Sequence, residues 1–157
     1  MIFVTVGSTE IPFARLIQAL ARLPADELRV QYGGGAPPAH AAEAVDFMSF
    51  GEVMERVEAA DVVVCHAGAG SILCAVRAGH TPVVVPRLKR FSEAVTDHQA
   101  ELARALAHEG KVSAVYHESR LAEAVAATPP RRPPLAGGER PLHVAVRAAL
   151  HGTSAAV

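Results

Sequence analysis

The residues best suited to chemistry form one run, His66-Ala67-Gly68-Ala69-Gly70-Ser71, which follows an apolar stretch and opens a helix-forming one. Small residues let a ligand approach the backbone closely. A helix start supplies N–H groups without intrahelical partners and a partial positive charge, the conditions that hold a phosphate or diphosphate. Ser71 adds a hydroxyl, and His66 one more hydrogen bond. The run is not a dinucleotide fingerprint, because Gly68 and Gly70 lack a third glycine at the required offset, and no lysine makes it a P-loop. On spacing alone it is either an anion cradle or an ordinary tight strand-to-helix turn.

A second cluster lies downstream. Arg87, Lys89 and Arg90 form a basic loop, read either as meeting a lipid diphosphate or an anionic membrane surface or as a solvated charge run. Glu93 is a candidate general base, with a loop-capping or surface carboxylate as the other reading. Asp97-His98-Gln99 stands at a helix start, where His98 caps or solvates the turn. The eight histidines show no paired metal-ligand spacing, and Cys65 and Cys74 sit in apolar segments as core thiols.

Alternating elements position these residues. The expected strands cover 2–6, 28–32, 44–48, 61–66, 81–85 and 111–116. They are separated by helical patterns at 13–20 (on Phe13, Leu16, Ile17 and Leu20), around 53–57, at 72–78, from 97 onward (on Leu102 and Leu106) and at 121–125. Gly79 fits a helix C-cap. The pattern predicts an α/β fold: a Rossmann-like, mostly parallel sheet with helices on both faces, its ligands beyond the carboxyl ends of the strands. The loops at Gly7, Gly33, His66 and Pro86 then share one edge. A domain over 1–127, a Pro/Gly/Arg-rich linker over 128–141 and a C-terminal helix and tail over 142–157, striped by Leu142, Val146 and Leu150, complete the expected organisation.

Composition narrows the function. The 157 residues are 50% hydrophobic but 4% aromatic, so the core is built from Ala, Val and Leu, and the net charge of −1 speaks against nucleic-acid binding through overall charge. Two cysteines without a disulfide framework, no signal-like N-terminus and no spanning apolar run point to a cytoplasmic protein.

Taken as a set, Ala60-Asp61 through Ser71, Ala78-Gly79, Pro82 through Arg87, and Asp97-His98-Gln99 resemble the donor domain of GT-B glycosyltransferases, the family 28 C-terminal domain. Phe3 through Thr9, Pro12-Phe13 and Arg15-Leu16-Ile17 fit one branch of it. That branch contains the soluble subunits of bacterial two-component polysaccharide glycosyltransferases. It also contains the catalytic subunit of the eukaryotic enzyme adding the second N-acetylglucosamine to a dolichol-linked sugar. The resemblance covers about residues 1–127. It implies a UDP-sugar donor, no metal and no other cofactor. Gly68, Ala69, Gly70 and Ser71 would hold the diphosphate with His66 nearby, and Gly7 and Ser8 would line the same cleft. The segment at Phe50 and Met54 would flank the uracil, and Gln99 with Asp97 would meet sugar hydroxyls, beside His98 and Arg87. Glu93 and His66 are the catalytic candidates, and the reaction implied is inverting.

Two positions depart from the pattern. Cys74 stands where many relatives carry an acidic residue that takes the ribose hydroxyls, and Ala94 where bacterial relatives carry a histidine. A full GT-B enzyme has two such domains, and this chain has room for one. The reading is therefore a donor-binding catalytic subunit working with a membrane-anchored, acceptor-binding partner subunit on a lipid-linked acceptor. The partner would recruit it to the inner face of the membrane, and the apolar C-terminal stripe either docks that partner or folds back across this domain's own surface. The alternative is a non-catalytic nucleotide-sugar-binding or regulatory module.

Overall fold

Six short strands, rich in valine where they are most buried, dictate the architecture seen in a computed structural model, which describes residues 1–134. They are β1 (Ile2–Thr5), β2 (Leu28–Gln31), β3 (Glu43–Val45), β4 (Val62–His66), β5 (Val83–Val85) and β6 (Ser113–Ala114), with helices α1 (Ala14–Ala19), α2 (Phe50–Ala59), α3 (Ala69–Arg77), α4 (His98–His108) and α5 (Leu121–Ala126) between and after them. All ladders are parallel and the strand order is β3-β2-β1-β4-β5-β6. The C-terminal stripe on Leu142, Val146 and Leu150 lies outside the described residues.

Period-2 alternation sends neighbouring side chains of each strand into different layers. Along β1, Ile2 and Val4 join the core with Leu16, Leu20 and Leu121, whereas Phe3 packs with Val57 and Ala75. Along β5, Val83 and Val85 face the first layer and Val84 meets Leu102 and Leu106. The sheet is thus covered on both sides, which explains why its strands read as continuous apolar runs.

Helix boundaries carry functional weight. Ser49 and Glu52 form a reciprocal capping box that fixes the first turn of α2. Helix α3 begins at Ala69 rather than near Ile72, so Ala69, Gly70 and Ser71 are its first turn. Its far end closes as a Schellman motif: Gly79 (φ +95°) donates to Val76 O and His80 N to Ala75 O, each at 3.0 Å. The chain then returns there. Arg132 N donates to Gly79 O at 2.9 Å, Arg131 Nε to Ala78 O at 2.6 Å, and Arg131 Nη1 to Glu58 O. A Cβ on Gly79 would lie 2.0 Å from Arg132 O. The opening of the segment expected as linker therefore lies against the domain.

Candidate functional site

The strand order reverses direction between β1 and β4, since β1 is flanked by β2 on one side and β4 on the other. In such sheets the loops leaving the carboxyl ends of the two central strands diverge and open a crevice. Gly7 leaves β1 there and His66 ends β4. The imidazole lies between two glycines: a Cβ on Gly7 would come within 2.5 Å of its Cε1, and one on Gly68 within 2.2 Å of its Nε2. Gly7 also needs its positive φ of +84°. Both glycines are therefore required by the histidine ring.

The β1 loop is held by polar groups inside the sheet. Thr5 Oγ1 donates to Gln31 Oε1 at 2.6 Å and accepts from Gly7 N at 3.2 Å. Gln31 Nε2 donates to Gly7 O at 3.1 Å and Asp46 O at 2.7 Å, tying the loops after β1 and β3 together. A glutamine on a buried strand was the sequence signal for this post, and the sequence reading passed over it.

Opposite Gly7, α3 presents its N-terminus. Gly68 occupies the N-cap without a side-chain cap, and Ile72 is the first amide bonded back, to Gly68 O at 3.1 Å. The N–H groups of Ala69, Gly70 and Ser71 remain open, at the positive end of a nine-residue helix. A Cβ on Gly70 would meet nothing within 4 Å, so the space above that residue is clear. Gly7, Ser8, Gly70 and Ser71 line one cleft of about 340 Å³. Phe47, Phe50, Met48, Val53 and Cys74 form its apolar wall, and Phe50, placed at the start of α2 by the capping box, is 72% exposed.

The cleft has one apolar wall with exposed aromatic rings and one wall of backbone donors. Such a surface suits a ligand with a flat ring at one end and an anionic group at the other. Burial first, with the Arg87 charge adding to it, pushes His66 down to about 4, so its ring is neutral at pH 7. Its Nδ1 is buried without a partner among the described residues. A ring whose pKa lies so low stays neutral, can donate from one nitrogen and is a weak base. Burial likewise pushes Cys65 up to about 12 and raises Cys74, so both stay thiols. Among the described residues no group of three or more His, Cys, Asp or Glu side chains is placed to hold a metal ion.

The remaining sequence candidates sit elsewhere, and three require correction. Met54 does not line the cleft; Val53 takes that place one residue earlier on α2. Arg87 is not a basic surface residue but is 2% exposed. Its guanidinium stacks 4.5 Å from the Phe13 ring centroid and donates to the carbonyls of Val6, Ile11, Pro12 and Glu93. Those bonds leave only Nε without a partner, and it too is buried. Arg87 is thus a strut under the β1 and β5 loops. Glu93 is 5% exposed, and its carboxylate accepts from Arg15 Nε (3.1 Å), Arg15 Nη2 (2.9 Å) and Leu88 N (3.1 Å). A carboxylate so occupied holds a loop, and it does not line the cleft.

Asp97 and Gln99 brace the same loop: Asp97 Oδ1 accepts from Lys89 N at 2.9 Å and Gln99 Oε1 from Arg87 N at 3.1 Å. His98 is exposed and pairs with Glu101 at 3.3 Å. None of these three lines the cleft. The cleft residues missed from sequence were Thr5, Gln31, Phe47, Met48 and Val53, because apolar or neutral side chains in short elements carry no motif.

Against known proteins, the model of the glycosyltransferase family 28 C-terminal domain matches residues 1–133, a span that runs into the docked segment at Arg131 and Arg132. Over 122 residues the chain is 34% identical to the UDP-N-acetylglucosamine transferase subunit ALG13 of Yarrowia lipolytica. That alignment takes in 68% of this chain and 60% of the yeast protein, so the chain spans less than two thirds of its relative's length.

Proposed function

The chain belongs to the glycosyltransferase family 28 C-terminal domain family, and from that premise we propose that it is the donor-binding subunit of a heteromeric glycosyltransferase using a UDP-sugar. One observation carries the reading: Gly70 and Ser71, which follow Ala69 in the open first turn of α3, line a cleft at the switch point of the sheet, with clear space above Gly70. The diphosphate lies on those amides, the uracil against Phe47 and Phe50, and the ribose near Cys74. A thiol at Cys74 offers the ribose one weak hydrogen bond where a carboxylate would take two, so the amides and the aromatic wall supply most of the donor affinity.

In the transfer step an acceptor hydroxyl attacks the anomeric carbon. The new glycosidic C–O bond forms as the bond to the diphosphate oxygen breaks, with inversion, and the charge released onto UDP falls on the α3 N-terminus. The hydroxyl proton needs a base. The described residues lining the cleft include no carboxylate or imidazole, Glu93 is committed to Arg15, and neutral His66 is a weak acceptor of protons. We assign the base and the acceptor site to a second, membrane-anchored subunit, and take the acceptor to be lipid-linked. A non-catalytic donor-binding module is the second reading, and the consumed Glu93 carboxylate is what favours it.

Two assays separate these readings. Calorimetric titration in EDTA is expected to show UDP binding and much weaker binding of uridine; absence of UDP binding would remove both. Co-expression with a membrane subunit, followed by sugar transfer from UDP-sugars to a membrane lipid acceptor, is expected to give product. Binding without transfer leaves the module reading.

A further inference from the structure

The large apolar side chains exposed among the described residues, Ile11, Phe47, Phe50, Phe91, Val95 and Tyr116, all follow strands of the parallel sheet, in the segments after β1, β3, β5 and β6. They therefore share one edge of the molecule. Phe47 and Phe50 belong to the cleft. Phe91 at 49% exposure, Val95 at 83% and Ile11 at 40% do not, and beside them stand the exposed cations Lys89 and Arg90. The only acidic side chain between Lys89 and Thr96, Glu93, is turned inward onto Arg15.

The loop that carries these groups is built as a rigid platform. Arg87, Glu93, Asp97 and Gln99 each anchor its backbone from within, and Ser92 takes a left-handed turn (φ +57°) directly after Phe91. The half-exposed Phe91 ring is itself held in place, with the Arg15 guanidinium 5.0 Å and the Arg90 guanidinium 4.8 Å from its centroid. Ile11 and Phe91 border a recess of about 700 Å³ that also includes Arg15 and Arg22. Arg15 Nη1 is buried there without a hydrogen-bond partner, 3.9 Å from Glu118 Oε2.

We propose that the 88–95 loop, with Ile11, is a membrane-contact surface of this chain itself, seating Phe91 and Val95 among acyl chains while Lys89 and Arg90 meet anionic lipid head groups. Charge selects this occupant: the apolar tips Phe91 and Val95 stand beside the exposed Lys89 and Arg90, with the exposed acids Glu10 and Asp97 at the borders of the patch, and each cation at a bilayer with negative phosphates strengthens binding several-fold at low salt. The contact would set the donor cleft, on the same edge of the sheet, at the membrane surface. It does not rest on the donor reading, because UDP binding is measured separately.

The test is co-sedimentation of the full chain with phosphatidylcholine vesicles, with and without phosphatidylglycerol. The chain is expected to partition onto the phosphatidylglycerol vesicles, to come off in salt, and to ignore pure phosphatidylcholine. Lys89→Gln with Arg90→Gln is expected to lower the partition coefficient about 30-fold, and Phe91→Ser with Val95→Ser at least about tenfold. Thermal midpoint and UDP titration should be retained in both. No partition onto the anionic vesicles, or partition that both double variants retain, overturns the proposal. So does loss of a partner subunit's binding in Phe91→Ser/Val95→Ser with vesicle binding intact, which would give the surface to a protein instead.

Discussion

Replacing Glu93 by alanine removes a carboxylate that accepts three hydrogen bonds inside the loop after β5. The side chains of Arg15, which stays behind, and of Glu93 are 10% and 6% exposed, so solvent does not screen the loss. Arg15 would keep its bond to Pro86 O, the distant Glu118 and its contacts with the Phe13 and Phe91 rings. Breaking a buried ion pair from one side costs about 3–5 kcal/mol. For a domain of this size that is a fall of roughly 6–20 °C in the thermal midpoint. Urea denaturation of wild type, Glu93→Ala and Glu93→Gln measures it, with the glutamine variant in between because it keeps one acceptor oxygen. UDP affinity should change little, since the carboxylate does not line the cleft. A stability loss below about 1 kcal/mol, the range of exposed pairs, would refute the assignment of Glu93 as a loop anchor and reopen its role as a base.

Gly70→Ala separates binding from folding. Its Cβ meets no atom within 4 Å, so stability should hold or rise by up to about 1 kcal/mol through helix propensity. UDP should bind at least about tenfold more weakly, a loss of about 1.4 kcal/mol, because the new Cβ occupies the space the diphosphate would take; unchanged affinity in calorimetry would contradict a ligand resting on that turn. The His66 prediction concerns pH. Its folded pKa of about 4 lies below the unfolded value of about 6.5. The unfolded chain therefore takes up the proton first, and stability falls as pH drops through that window, by roughly 3 kcal/mol at its acid end. His66→Asn should flatten this part of the urea midpoint–pH curve relative to wild type, and an unaltered slope would show that the ring is not buried in solution.

The sequence reading reached the fold because its strongest signals were local. Valine runs at 62–64 and 83–85 are strands wherever both faces are covered, and Gly79 can end a helix by its own conformational freedom. The start of α3 came out three residues late because Gly70 and Ser71 are poor helix formers; tertiary packing of Ile72 and Ala75 overrides that preference. The charged loop was harder still. A run of Arg, Lys and Glu reads as solvated surface, and only Arg15, 78 residues away from Glu93 in sequence, reveals that the carboxylate is inward. Arg87 is buried by carbonyls from the β1 loop, a long-range pairing that no spacing encodes. The docking of Arg131 on α2 and α3 was hidden by a proline-rich composition that resembles a linker.

The most direct test of the account is amide NMR of the labelled full chain titrated with UDP in EDTA, with uridine as the control. Hydrogen bonds from a helix N-terminus to a diphosphate should move the Ala69, Gly70 and Ser71 amides furthest, with Gly7 and Ser8 next. Uridine should perturb only the wall at Phe47 and Phe50. Shifts centred on another face, or the same three amides unmoved by saturating UDP, would contradict the donor site.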